Sequence, residues 1–341
     1  MSNQRLYRVT KRRRKRKRKK LVAWFLVPLL LLLTVTGTAY GAYLYNKAAA
    51  TLDNSYESIA LSSKREAKVN PDVDNTSILF IGVDDSEKRD YKESARSDAL
   101  ILATFNKKEK SIKLVSIPRD SYVYVPKKDR YTKITHAHAY GGPQVTVDTV
   151  EHLLDIPVDY YVRMNFYAFI DVVDALGGIE VDVPYEFKEQ DSHDLAGAVH
   201  LKAGLQNLDG EEALALARTR KKDSDLFRGQ RQQEILQAIV KKATTLHAVT
   251  KYPDIIDAVG DNMKTNLTFS EMKAFIEYAT AGNNLSMENL QLEGVDGREN
   301  GAYVFKLDED KLVELQDVLK KHLGLTSSSN VNAYAEEMIK E

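Results

Sequence analysis

Four arginines, a glutamine and an aspartate crowd residues 217–233 of this 341-residue chain (ARTRKKDSDLFRGQRQQ): Arg218, Arg220, Asp225, Arg228, Arg231 and Gln232. On a helix beginning near Leu226, Arg228, Gln232 and Ile235 fall at i, i+4 and i+7, with Arg231 at i+3. A guanidinium-rich face would then continue into an apolar stripe. Several guanidinium forks on one wall suit a diphosphate, because they bind phosphate oxygens bidentately and stay charged at every relevant pH. A basic helix surface facing water is the plainer alternative. Arg218 and Arg220 are two apart, about 200° around a helix, so both enter one site only if the preceding helix ends there.

The carboxylates supply the complementary chemistry. Asp84 in GVDD follows an apolar run, and Asp98 in RSD precedes the next one. Ligand sites of α/β folds gather at strand ends, where two carboxylates can hold a hard cation through oxygen. Two solvated turn aspartates would give the same spacing. Arg119 and Asp120 in IPRDSYV follow a third apolar run and bring charge to the same region, although an isolated loop pair of this kind can be a surface ion pair. His136 and His138 in KITHAHAYGG lack an obvious third metal ligand and read as loop or core histidines. There is no glycine-rich nucleotide loop, HExxH or GxSxG pattern, and no cysteine. ATP-, zinc- and thiol-dependent mechanisms are therefore set aside.

Short branched runs at 77–83, 99–105 and 112–117 read as strands. Residues 160–165 lead into a helix on which Phe169, Val172, Val173 and Leu176 share a face. Gly177-Gly178 stops it and residues 179–183 return as a strand, a β-α-β unit. Asp209 caps a helix to about Arg220, Asp225 caps another to about Leu246, and Leu312, Leu315, Leu319 and Leu323 mark a last helix. The class is α/β or a closely mixed sheet with flanking helices.

Charge is distributed unevenly. Twelve of the 49 basic residues lie in the first 20 positions, which hold no acid, leaving 37 against 49 acidic residues beyond them. The remainder is therefore acidic, and any anion site on it must be built locally. Residues 21–45 carry no charge, long enough for a transmembrane helix, and the preceding basic run places residues 1–20 in the cytoplasm and the rest outside. A cleaved signal peptide would have a shorter apolar region. The basic run more simply meets anionic headgroups than nucleic acid. The expected organisation is a cytoplasmic basic tail (1–20), a single membrane-spanning signal anchor (21–45), an extracellular stalk (46–72), a catalytic domain (73–325) and a C-terminal tail (326–341).

The stretches LFIGVDD, ARSDALIL, KLVSIPRDSYV, KITHAHAYGGP, VDYYVRMNFYAFIDVVDALGGIEVDVP, LDGEEALALARTRKKDSD and FRGQRQQ, in order from about residue 77 to 237, resemble the LytR-CpsA-Psr family of bacterial wall-polymer ligases. The resemblance implies a three-layer α/β/α sandwich with a central mixed sheet and a hydrophobic groove for a polyprenyl chain. It implies transfer of a phosphate-linked glycan, such as a teichoic acid or capsule polymer, from a polyprenyl-pyrophosphate carrier to peptidoglycan. By position, Asp84 and Asp98 match the Mg²⁺ (or Mn²⁺) ligands. Arg96, Arg119, Lys133, Arg218, Arg220, Arg228, Arg231 and Gln232 match a pyrophosphate clamp. Arg119, Arg218 and Arg220 also enter the catalytic set with Asp225, which stands where a pocket carboxylate lies and would position or deprotonate the acceptor hydroxyl. The family often has an arginine soon after the first aspartate, whereas GVDDSEKRD leaves the choice between Asp84 and Asp85, and the register of Arg89, open. A hydrolase or lipid-phosphate binding module would use the same pocket, and a membrane-bound transcription regulator is a remoter alternative.

Overall fold

The structure, a computed structural model, describes residues 34–325 except 52–53, 61–63, 66, 84–94, 221–224, 244, 246–250, 261 and 281–284. It divides into units at residues 1–50 and 51–341. In the first, residues 34–50 are helical (α1). Among the described residues no helix is long and apolar enough to cross a membrane; residues 21–33 of the expected span lie outside them.

The second unit is α/β. A six-stranded mixed sheet is built from β1 (Thr76–Val83), β2 (Ser97–Asn106), β3 (Ser111–Ser116), β6 (Tyr160–Asn165), β11 (Met263–Thr265) and β12 (Ser286–Gln291). Its order is β11-β6-β1-β2-β3-β12. β1 runs parallel to β6 and β3 to β12; the other pairs are antiparallel. A two-stranded hairpin, β4 (Tyr122–Val125) with β5 (Arg130–Lys133), follows β3. Helix α2 (Thr135–Leu154) comes next, kinked at Gly141 and Gly142 before Pro143, which suits the first turn of the segment it opens.

The apolar run of β1 reads as continuous because both faces of the strand are covered. Leu79, Ile81 and Val83, with Leu100 and Leu102 of β2, pack against Val147, Val150 and Leu154 of α2 and Leu315, Leu319 and Leu323 of α8 (Glu309–Leu323). Their neighbours Ile78, Ile101, Ala103 and Phe105 turn to the other face, against Leu236 of α5 (Asp225–Ala243) and Met272, Phe275 and Tyr278 of α7 (Phe269–Thr280). Helices thus cover both faces of the sheet. Each fully buried side chain of this kind contributes roughly 1.5–3 kcal/mol, so these two faces dominate stability.

A second core lies beside the sheet. It joins α3 (Phe166–Ala175), β7 (Ile179–Val183), β8 (Phe187–Glu189), β9 (Val199–Leu201), β10 (Gly204–Leu208) and α4 (Gly210–Arg218) around Val173, Ile179, Val181, Leu208, Leu216 and Ile235. Here the expected β-α-β unit is corrected. β7 does not return to the sheet that holds β6 but pairs antiparallel with β10, because its alternate residues Glu180 and Asp182 are exposed and only one face is apolar. Beyond α5 come α6 (Tyr252–Gly260), and beyond β12 a hairpin of β13 (Gly294–Glu299) and β14 (Ala302–Leu307).

Part of the expected stalk is joined to the domain. The Glu57 N–H donates to the Thr265 carbonyl at 2.8 Å, and the Ser55 hydroxyl to the Gly260 carbonyl at 2.8 Å. Arg65 holds both oxygens of Asp159, at 2.9 and 3.0 Å. Asp159 is nearly fully buried, so a bidentate guanidinium compensates its charge where a solvated linker would not.

Candidate active site

Between one sheet face and helices α3, α4 and α5 runs a groove of about 560 Å³. Phe80, Ile101, Val162 and Met164 form its sheet side. Phe166, Phe169 and Val172 of α3 and Leu214 and Ala217 of α4 line it opposite, with Ile235, Leu236 and Ile239 of α5. Its polar lining consists mainly of Asp98, Arg119, Arg218, Arg220, Arg228 and Gln232. These come from element ends. Asp98 opens β2, where Val83 at the end of β1 pairs with Ser97; Arg119 follows β3; Arg218 ends α4; Arg228 sits in the first turn of α5. Ile239 lies eleven residues further along α5, about 16 Å away. The groove is thus greasy along its length and cationic at one end.

Local structure explains why the arginines converge. Asp209 and Glu212 cap α4 reciprocally, which fixes its start. The helix ends at Arg218 because Thr219 is extended (φ −60°, ψ 141°), so Arg218 and Arg220 escape the opposition a continuing helix would impose. Arg231 then ties down the free carbonyls at that end: Nε donates to the Leu216 oxygen at 3.2 Å and Nη2 to the Thr219 oxygen at 2.6 Å. Gln232 Nε2 donates to the Ala217 oxygen at 3.2 Å. The start of α5 lies on the end of β3 at Gly229, where a Cβ would come within 2.3 Å of Ser116 Oγ. Gln233, fully buried, donates to the carbonyls of Leu114 and Leu290 and so bridges β3 and β12.

Within the cationic end, Arg119 donates to the Asp98 carboxylate. The Arg218 guanidinium lies over the Phe166 ring at 4.8 Å from its centroid. Among the described residues, Arg119 Nε and Arg218 Nη1 are buried donors with no acceptor. Such orphans are rare, and oxygens of an anionic ligand would satisfy them. Arg228, only 6% exposed, adds a further guanidinium to the groove lining.

Not every residue read from the sequence lines the groove. Arg231 is buried on the far side of α5 and engaged by main-chain carbonyls, so it shapes the site rather than lining it. Lys133 pairs with Asp120 at 2.7 Å. Burial pushes the Asp120 carboxyl up, but the Lys133 hydrogen bond and the charges of Lys133, Arg119 and Arg220 outweigh it and hold it below the usual range. Arg96 is outside the groove lining and acts on His136, whose pKa is lowered by burial first and then by Arg96, Lys133 and Arg130. His138 is a core histidine: its Nδ1–H donates to the Ala95 oxygen at 2.6 Å, and burial lowers its pKa to about 4. Asp84, Asp85 and Arg89 lie outside the described residues, as does the side chain of Asp225, the first residue of α5. Among the described residues no three acidic or imidazole groups cluster as a metal site. Asp98 is a partly exposed oxygen donor on the groove. One carboxylate beside phosphate oxygens fits the way Mg²⁺ is usually held.

The resemblance implied a hydrophobic groove, but sequence reasoning named neither the residues of its apolar wall nor the Phe166 platform. Their signal was the second face of the strands, Phe80 and Ile101, which period-2 alternation directs away from α2.

The comparisons agree with this geometry. The LytR_cpsA_psr family model matches residues 42–321. The polyisoprenyl-teichoic acid–peptidoglycan teichoic acid transferase TagT of Bacillus subtilis (strain 168) is 44% identical over 302 residues, covering 87% of this chain and 93% of the relative. A solved structure of TagT bound to LIIa-WTA superposes with a TM-score of 0.66 at 45% identity, covering 78% of this chain and 97% of that one. Another, a LytR-CPS2A-psr family protein YwtF (TagT) with bound octaprenyl pyrophosphate lipid, gives 0.62 at 42% identity over 77% and 96%. With a mixed-sheet fold, an arginine-ended groove and a family match over most of its length, this chain belongs to the LytR-CpsA-Psr family.

Proposed function

We propose that this protein transfers a phosphate-linked glycan polymer, of the teichoic acid kind, from a polyprenyl-pyrophosphate carrier to peptidoglycan. The observation that carries the reading is the continuity of an apolar groove with a cluster of arginines. A hydrocarbon chain fits the first and a pyrophosphate the second, in one molecule. The related TagT structures hold octaprenyl pyrophosphate and LIIa-WTA.

In this reading the prenyl chain lies against Phe80, Met164, Phe169 and Ile239. Arg119, Arg218, Arg220 and Arg228 hold the pyrophosphate oxygens. Arg231 and Gln232 act by fixing the end of α4, and Lys133 and Arg96 by holding Asp120 and the surrounding field. The acceptor hydroxyl forms a new P–O bond at the glycan-bearing phosphorus. The bridging P–O bond breaks, polyprenyl phosphate leaves, and the hydroxyl proton passes to a carboxylate, for which Asp225 is the candidate. Phosphoryl transfer needs mainly positioning and charge stabilisation, which fixed guanidinium groups supply. Asp98 and Asp84 are the candidate Mg²⁺ ligands; a bound divalent ion would further neutralise charge developing on the phosphates. The uncharged stretch 21–45 after a basic tail supports a single-pass anchor with the catalytic domain outside.

The test incubates the protein with a lipid-pyrophosphate glycan, peptidoglycan oligomers and Mg²⁺, and follows products by mass spectrometry. A glycan-phosphate-peptidoglycan adduct is expected. Free glycan phosphate alone would replace the reading with hydrolysis. Asp225→Asn retaining full transfer would remove the proton-acceptor role.

A further inference from the structure

The hairpin β4–β5 lies outside the groove lining, and of its residues only Lys133, at its root, has a role in the transfer reading. Its two faces differ. Val123 and Val125 are buried, and the alternate positions put Tyr122 and Tyr124 on the other side. Tyr131 pairs directly with Tyr124, and Lys133 with Tyr122, so four residues share one face. The tyrosines pack as a strip: the Tyr131 ring lies 5.7 Å from that of Tyr122 and 5.5 Å from that of Tyr124. Tyr131 is nevertheless 61% exposed.

The tip adds charge. Lys127, Lys128 and Arg130 are all exposed, and the single acid among them, Asp129, accepts from the Tyr124 hydroxyl at 2.6 Å. Asp129 takes a left-handed conformation (φ 48°, ψ 46°) that closes the turn. The root of the hairpin is Lys133, paired with Asp120 beside Arg119 of the groove. Cations therefore occur from the groove to the tip, and His136 registers this field through Arg96, Lys133 and Arg130. The chain beyond residue 20 is acidic overall, with 37 basic against 49 acidic residues, so the patch opposes the general charge.

We infer that the tyrosine face and basic tip of β4–β5 form a second binding site for the anionic polymer itself, a chain of sugars or polyols joined by phosphodiesters. The inference rests on the transfer reading for the identity of its ligand. A donor whose pyrophosphate occupies the arginine end carries its polymer outward, and a surface beginning at Lys133 can receive it. Tyrosine rings offer flat, amphipathic platforms for sugar and polyol C–H faces, and Lys127, Lys128 and Arg130 meet the phosphates between them. The arginine end of the groove would then recognise the linkage and the hairpin the length of polymer.

The experiment uses the full chain in detergent, as wild type, Lys127→Glu/Lys128→Glu and Tyr131→Ala, none of which touches the groove. Binding of a soluble poly(glycerol phosphate) lacking lipid is measured by calorimetry at low and moderate salt. Transfer is measured in parallel with a donor bearing the polymer and with one bearing only its first sugars. The double reversal is expected to weaken polymer binding by about tenfold at low salt, since each surface cation contributes several-fold, with the difference shrinking as salt rises. Tyr131→Ala is expected to weaken it at both salts, and KM should rise for the polymer donor alone. Unchanged polymer binding in both variants overturns the proposal. Loss of binding to phosphatidylglycerol vesicles with polymer binding intact also overturns it, in favour of a membrane contact. If wild-type protein transfers neither donor, the transfer reading fails while the binding measurement still decides this site.

Discussion

At the scale of single residues, the arginines of this site do two different jobs that their spacing does not separate. Arg119 and Arg218 line the groove and each carries a buried donor that has no acceptor among the described residues, whereas Arg231 donates to the carbonyls of Leu216 and Thr219 at the end of α4. Arg119→Ala should therefore lower kcat by about 100-fold or more, as removal of a preorganised charge-stabilising donor does, with the unfolding midpoint little changed. Arg231→Leu should behave in the opposite way. It leaves the Leu216 and Thr219 carbonyls unpaired in a buried place, costing roughly 2–4 kcal/mol. Denaturant unfolding would register that loss, and activity should recover on cooling to the extent that folding does.

At the scale of elements, the groove depends on where α5 starts. Gly229 is required because its helix lies against Ser116, leaving no room for a side chain. Gly229→Ala should destabilise by about 1–3 kcal/mol through forced displacement and weaken lipid binding as the wall carrying Arg228, Gln232 and Ile235 shifts. Adding Ser116→Gly removes the opposing atoms and should restore both; thermal unfolding and binding of polyprenyl phosphate check it. A double variant no better than the single would show that Gly229 acts through helix propensity instead.

At the scale of the whole molecule, buried titratable groups set the response to acid. His138 has its pKa lowered to about 4 from an ordinary 6.5, so the folded protein resists a proton that the unfolded chain accepts. The unfolded state binds more protons between those values, and stability falls as pH drops from about 6.5 to about 4, by up to about 3 kcal/mol from this residue. His136 and His322, also lowered chiefly by burial, act in the same direction. Asp120, held low by Lys133 against its burial, contributes stability above the ordinary carboxyl range that is lost as pH falls through its folded value. Urea unfolding at pH 7.5 and 5 should show a marked loss at the lower pH. His138→Phe, though less stable at pH 7.5 for want of the Ala95 hydrogen bond, should show a smaller loss between the two.

Most of the elements, and the arginine cluster that marks the site, were legible in the chain before folding. Local rules sufficed where the signal was local: the apolar runs of β1, β2 and β3, the Asp209 cap of α4, the glycine pair that stops α3, and the face of α5 that carries Arg228 and Gln232 into Ile235. Packing settles which face of each strand meets which helix, where β7 goes, and which arginines look into the groove. Those outcomes depend on contacts between residues far apart in the chain. Arg228 and Arg231 are three positions apart on one helix, and both are buried, so spacing and polarity treat them alike. What separates them is the end of α4 lying against one side of α5 and an open apolar groove along the other, which exists only once the chain has folded.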